Sequence, residues 1–417
     1  MGAFGPHRAR AGEAGARTRE RRTRVLTFCH DSFGLGHLRR TTTLARSFVE
    51  ADLGASVLCV TGSPRPDLFE LPHGIDFVRL PGVTKGDQGE YVPRRLSVST
   101  PEVVSLRAAM IKAVAHEFRP DVIVVDHSPI GIGGELLPML EEQRRVGNAL
   151  IVLGMRDIVD EPLRARRELA REHTRQALET LYDRIIVYGH PHVCDVALEY
   201  GLGARVGHKL RYVGVACATD PESRPAEPTA PAPAATGGLL VTVGGGEDGH
   251  PTLQAVVDWL ECDQESAQAA TLVTGPMMGA AERDGLARRA ERVGARVLES
   301  TSDLPALLEA SDTVIGMGGY NTVYESLAMR KRVVVIPRVY PRREQWERAR
   351  RLKELNLLDY VDPAELSRPR TIASAVERAR ARTPIDPADV GIRFDGARVA
   401  AESLLSEAHA RALPLAS

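Results

Sequence analysis

The sequence predicts an α/β protein of two doubly wound, Rossmann-like domains facing a cleft, and three observations predict it. Short runs rich in Val, Ile and Leu alternate with helical periods along almost the whole chain, the pattern of parallel strands covered on both faces. The alternation stops once, from Asp220 to Gly238, in a stretch dominated by Pro, Ala and Thr, and then restarts. Glycine-rich turns follow the first strand of each half, where such folds gather ligands.

The chain has 417 residues, too many for one ordinary core. A net charge of −1 gives no electrostatic footprint for nucleic acid, and none is expected as a partner. No apolar run approaches the roughly 20 residues that span a bilayer. The five cysteines are scattered without a CxxC pair, which predicts reduced thiols, a cytoplasmic protein and no zinc site.

Residues 1–22, rich in Arg, Ala and Gly, lack the apolar segment of a secretory signal and are predicted to be a disordered basic tail. The first domain is expected over 23–218. Its strands fall at 24–29, 55–61, 75–80, 121–126, 149–153 and 184–188. Helices follow Gly34-Leu35-Gly36-His37, with Leu38, Leu44, Ala45 and Phe48 on one face, and recur near 101–118, 133–145, 163–181 and 191–200. The segment 82–99 has no clean period and reads as a long loop. A linker at 219–237 leads to the second domain, 238–394. Its strands are expected at 239–243, 270–274, 295–298, 312–316, 332–336 and 358–361. Helices are expected near 250–260, 280–293, 303–310, 319–329, 343–355 and 371–382. A last helix within 395–417 is placed back across the first domain.

Four groups of residues carry chemistry. Gly318-Gly319-Tyr320-Asn321-Thr322 joins a strand to a helix, so backbone N–H groups at the helix start are placed for phosphate oxygens. Glu325 lies nearly two turns further, where a carboxylate can take a ribose diol. Gly244-Gly245-Gly246 offers a second set of amides on the same sheet edge. Arg338 can meet phosphate, and Gln345 can donate to and accept from neighbouring sugar hydroxyls. In the first half, Gly34 and Gly36 form a turn that presents His37 at a helix start, where the dipole keeps the imidazole neutral and suited to general base work. A helix-start histidine bonded to its own loop is the alternative. Asp31 and Asp126 stand at carboxyl ends of strands and can orient His37 or act as base; capping their loops is the alternative. The first glycine turn lacks the third glycine of a dinucleotide fingerprint and the Gly-Lys-Ser/Thr of a phosphate loop. No Asp-x-Asp pair ends a strand, so no metal and no cofactor is expected.

With these residues in place the chain resembles the GT-B glycosyltransferases, and among them family 28, which contains the peptidoglycan lipid-intermediate N-acetylglucosaminyltransferase. It is also similar to a group of bacterial predicted glycosyltransferases sharing the Gly-Leu-Gly-His-Leu-Arg-Arg loop at 34–40. The resemblance implies a GT-B fold and a UDP-sugar donor held on the second domain. It assigns Gly318 and Gly319 with Asn321 and Thr322 to the diphosphate turn, Glu325 to ribose, and Glu344-Gln345 to the sugar. It assigns Ser300 and Thr301 to the uracil loop, Gly244 and Gly245 to the donor glycine loop, and Gly34 and Gly36 to the acceptor side.

The expected activity is inverting, metal-independent transfer of a hexose or N-acetylhexosamine to a hydroxyl. The acceptor would be a glycan, lipid-linked sugar or natural product, with peripheral membrane contact allowed. The same loop is similar to that of the UDP-sugar hydrolases of nonulosonic acid synthesis, so hydrolysis with His37 activating water is the competing reading. A non-catalytic nucleotide-sugar-binding subunit is the third.

Overall fold

A computed structural model describes residues 22–29, 36–66, 71–86, 90–218, 238–301 and 304–412. The first sheet contains β1 (Arg24–Cys29), β2 (Ser56–Thr61) and β3 (Ile75–Arg79). After an antiparallel ribbon of β4 (Val83–Lys85) and β5 (Tyr91–Pro93), it continues with β6 (Val122–Asp126), β7 (Leu150–Arg156), β8 (Arg184–Tyr188) and β9 (Leu210–Tyr212). The second sheet contains β10 (Leu239–Thr242), β11 (Ala270–Val273), β12 (Arg296–Leu298), β13 (Thr313–Gly316), β14 (Arg332–Val335) and β15 (Asp359–Tyr360).

Both sheets are parallel, in the orders β3-β2-β1-β6-β7-β8-β9 and β12-β11-β10-β13-β14-β15. Each order reverses beside its first strand, between β1 and β6 and between β10 and β13. Loops at the carboxyl ends diverge there and leave a crevice. All five residues of β6 and all four of β10 and β13 are buried, as strands covered by helices on both faces must be.

The helices obey local rules. In Thr100–Phe118, Ser99 and Glu102 form a reciprocal capping box, and the helix ends at Arg119, whose φ of 49° precedes Pro120. The final helix, Gly396–Ala412, buries Ala397, Ala400, Ala401, Leu404, Leu405 and Ala408 against the helix Gly36–Ala51 and the β6–β8 part of the first sheet. One apolar cluster runs from the first sheet into the helix Tyr320–Ala328 and on to Val333, Val335 and Ala349 of the second domain.

Three local expectations differ from what is found. The loop expected over 82–99 contains the β4–β5 ribbon, in which Gly86 donates to the Glu90 carbonyl. The helix expected over 163–181 is two helices, Pro162–Leu169 and Glu172–Thr180, because Arg171 between them is extended (φ −58°, ψ 139°). The helix expected over 191–200 shrinks to Val196–Glu199, starting only where Asp195 caps it. The short strand β9 and the helix Gln264–Gln268 give too few residues for a visible period.

Candidate active site

At the switch point of the first sheet, His37 opens the helix after β1 and Asp126 ends β6. His37 Nδ1 lies 2.6 Å from Asp126 Oδ2. Arg40, one helical turn after His37, donates to both Asp126 oxygens at 2.7 Å and buries its guanidinium there. Burial alone would raise Asp126, but Arg40 and His37 together hold it well below the usual carboxylate range. Two groups approach Nδ1, the Asp126 carboxylate at 2.6 Å and Arg40 Nη2 at 3.0 Å; the shorter, charge-assisted contact to the carboxylate favours the proton on Nδ1, which leaves Nε2 as the basic atom. Burial lowers His37 to about 4, against the pull of Asp126 and with further lowering from Arg156 and Arg40, which keeps the ring neutral at physiological pH. His127, in the left-handed region at φ 68°, tilts its ring against His37 with centroids 5.1 Å apart. Asp31 and Gly34 lie outside the described residues.

The second sheet brings the donor candidates to one edge, each at the carboxyl end of a strand. Gly318 has φ 85°, and a Cβ there would meet Val335 Cγ1 at 2.8 Å, so only glycine fits this turn. Gly319 is the N-cap of Tyr320–Ala328 and offers no side chain to its first-turn N–H groups. No atom lies within 4 Å of where a Gly319 Cβ would stand. In the other glycine loop the Gly246 amide already donates to Val243 O at 3.4 Å, and Gly244 N lies 3.5 Å from Thr242 Oγ1. The amides expected to face the cleft from this loop therefore reduce mainly to that of Gly245. Ser300 and Thr301 follow β12 at the sheet's far edge, Ser300 exposed and Thr301 half-buried.

Four of the expected donor side chains already have protein partners. Glu325 does not face open space: it is 0% exposed, and its carboxylate meets Arg39 Nη2 of the first domain at 2.9 Å. Burial raises its pKa, with Arg39 opposing. Arg338, expected to meet phosphate, is bound to Asp248 at 2.7 Å and to Glu344 at 2.6 Å, so two carboxylates already offset its charge. Glu344 is correspondingly buried as an ion-pair partner. Gln345 spends its side-chain oxygen on Arg338 N at 2.9 Å, leaving the NH₂ as the group a sugar hydroxyl can meet. Asn321 donates from Nδ2 to the Gly36 carbonyl at 3.0 Å, pinning the start of the donor helix to the start of the His37 helix. Thr322 is half-buried in the first turn of its helix.

The residues that join the two halves were missed. Asp157, just beyond β7, is fully buried with Arg348 of the second domain, Oδ1 to Nη2 at 2.8 Å. Tyr324 Oη donates to Asp157 Oδ2 at 2.7 Å, and Arg348 Nη1 donates to the Gly318 carbonyl at 2.9 Å. Tyr320 Oη donates to Tyr188 O and accepts from Ala216 N, both at 2.9 Å. The glycine turn is thus held by an ion pair whose acidic half belongs to the other domain. One signal was available: Asp157 is the first carboxylate after the apolar run expected at 149–153, on the carboxyl side of its strand as Asp126 is of its own.

Among the described residues no helix is long and apolar enough to cross a membrane. Residues 239–385 match the model of the glycosyltransferase family 28 C-terminal domain. No curated protein matches the chain in sequence. Solved structures match over nearly the whole chain. The glycotransferase of kitacinnamycin aligns with TM-score 0.60 and 16% identity, covering 94% of this chain and 100% of that one. Medicago truncatula UGT71G1, complexed with UDP-glucose, aligns with TM-score 0.59 and 12% identity over 93% and 98%. Acinetobacter baumannii MurG aligns with TM-score 0.53 and 11% identity over 92% and 99%. The chain has the GT-B fold, and residues 239–385 of its second half are similar to the family 28 C-terminal domain.

Proposed function

On this GT-B frame with its similarity to a family 28 domain, we propose that the protein transfers a hexose or N-acetylhexosamine from a UDP-sugar to an acceptor hydroxyl, with inversion and without a metal ion. The observation that carries the reading is the His37–Asp126 pair at the switch point of one sheet, joined through Gly36 and Asn321 to the glycine-capped helix of the other. Nε2 of His37 takes the proton of the acceptor hydroxyl, whose oxygen attacks the anomeric carbon. The bond from that carbon to the β-phosphate oxygen breaks, and UDP leaves. Charge growing on the diphosphate meets the uncapped N–H groups of Tyr320–Ala328 and the positive end of its dipole, about half a unit charge. Gln345 holds the sugar. Glu325 takes the ribose hydroxyls once Arg39 moves aside, a displacement that domain opening supplies. The UDP-glucose bound by the Medicago protein supports a uridine donor.

Hydrolysis uses the same base, with water in place of the acceptor hydroxyl. A thermal-shift panel of nucleotide sugars tests the donor class: UDP-sugars are expected to raise the melting temperature, and a panel without any shift contradicts the reading. Incubation with a UDP-sugar and no acceptor separates the two reactions. Fast, stoichiometric release of free sugar marks a hydrolase, and slow release marks a transferase.

The pH profile is a further expected outcome. The base works only when neutral, and His37 stays neutral down to about 4. As pH falls, kcat/KM is expected to hold through 6.5 and to drop only near 4. A drop centred at the ordinary histidine value of about 6.5 contradicts the buried dyad.

A further inference from the structure

Arg156 ends β7, one residue before Asp157, and nothing above gives it a task. The other arginines at the domain junction are neutralised. Arg39 faces Glu325, Arg40 Asp126, Arg338 Glu344, Arg342 Asp160 and Arg348 Asp157, all within 3.1 Å. Arg156 is not: its Nε is buried without a hydrogen-bond partner, and among the described residues it forms no ion pair. Its charged surroundings come from both domains. Beyond burial, which pulls it down to about 10, Glu344 attracts it, Arg40 and Arg348 repel it, and Asp126 attracts it. In the sheet, Asp126 of β6 is level with Gly154 of β7, so Arg156, two residues further on, stands on the same face of the sheet as the partner of His37 and nearer its carboxyl end.

Arg156 is half-buried, and a guanidinium whose Nε is withdrawn from water regains that lost hydration only from an acceptor, and best from an anion. Its planar fork matches the two oxygens of a carboxylate or phosphate. The sugar is met from the other domain by Gln345, a neutral amide, so a cation at this point answers a charge.

We propose that Arg156 is a specificity-determining residue that binds an anionic oxygen group, carboxylate or phosphate, on a substrate beside the hydroxyl that His37 deprotonates. The inference rests on the transferase reading for that hydroxyl, but not for the anion. Three sources share this chemistry: an anion on the acceptor, a carboxylate on the transferred sugar, and the departing diphosphate.

The test is calorimetric titration of the wild type, Arg156→Gln and Arg156→Lys with inorganic phosphate, UDP, UDP-glucose and UDP-glucuronate. The glutamine variant is expected to bind at least one probe about tenfold more weakly, with partial rescue by lysine. Loss confined to phosphate marks an acceptor-borne anion. Loss for UDP-glucuronate but not UDP-glucose marks a sugar carboxylate, and equal loss for UDP and both sugars marks the diphosphate. The melting temperature of Arg156→Gln is expected to be unchanged or higher, because no partner is lost. All four affinities within twofold of wild type, or a clear fall in melting temperature, overturn the proposal. Phosphate is read without nucleotide, so a wild type that binds phosphate but not UDP sinks the donor reading and leaves Arg156 to be judged on that arm. A wild type that binds none of the four overturns both.

Discussion

A His37→Ala variant is expected to lose a factor of about 10² to 10⁴ in kcat while binding UDP as the wild type does. The size follows from what the ring supplies. An acceptor hydroxyl is a weak nucleophile until its proton is taken, and the only neutral imidazole tied to a permanent carboxylate at this switch point, among the described residues, is His37. The ring is 15% exposed on its side chain and lies at the first turn of a helix, so alanine leaves the helix Gly36–Ala51 intact. The paired variant Asp126→Asn is more disruptive. It removes the anion that favours the proton on Nδ1 and strips the buried Arg40 guanidinium of its partner, so both rate and melting temperature are expected to fall. Steady-state rates with calorimetric UDP affinity separate the outcomes: an unchanged kcat in His37→Ala removes the histidine from the chemistry.

Asp157→Ala is expected to carry the largest stability effect, about 3–5 kcal/mol, because it leaves the guanidinium of Arg348 buried without a counter-charge. Both side chains are 0% exposed. Tyr324 loses its acceptor in the same step. A functional effect is expected alongside. Arg348 holds the Gly318 carbonyl, so freeing it loosens the turn whose amides would face the diphosphate. Urea denaturation and UDP titration check the two effects separately. The double variant Asp157→Ala with Arg348→Met is expected to recover stability relative to the single one, since no charge is then left buried. A single variant as stable as the wild type contradicts the buried pair.

Much of the fold was legible because parallel strands buried on both faces leave unbroken apolar runs, as in Val122–Asp126 and Leu239–Thr242. The Pro- and Ala-rich break separated the two sheets for the same reason. Elements shorter than a period, such as β9 and the β4–β5 ribbon, carry no such signal. In the site, residues fixed by backbone requirements were readable: Gly318 stands where a Cβ would strike Val335, and Asp126 ends a strand at the switch point. Partner choice was not readable. Nothing local says that Arg338 is bound to Asp248, a residue 90 positions away in the same domain, or that Glu325 meets Arg39 and Arg348 reaches Asp157, pairs that form only when the two domains meet. Charged residues beside a glycine turn look like ligand contacts until their protein partners are seen. Arg156 is the converse case: an unremarked strand-end residue whose isolation shows only after every neighbouring charge is paired.

A uridine nucleotide held by the second domain at the helix Tyr320–Ala328 is tested by calorimetric titration of UDP into wild type and Glu325→Ala. Arg39 is partly exposed and can turn to water, so the variant is expected to stay folded. Wild type is expected to bind UDP, and Glu325→Ala to bind it about tenfold or more weakly, the loss of one charge-assisted hydrogen-bond site to ribose. Equal affinity in the two proteins, with both folded, contradicts the placement of the donor.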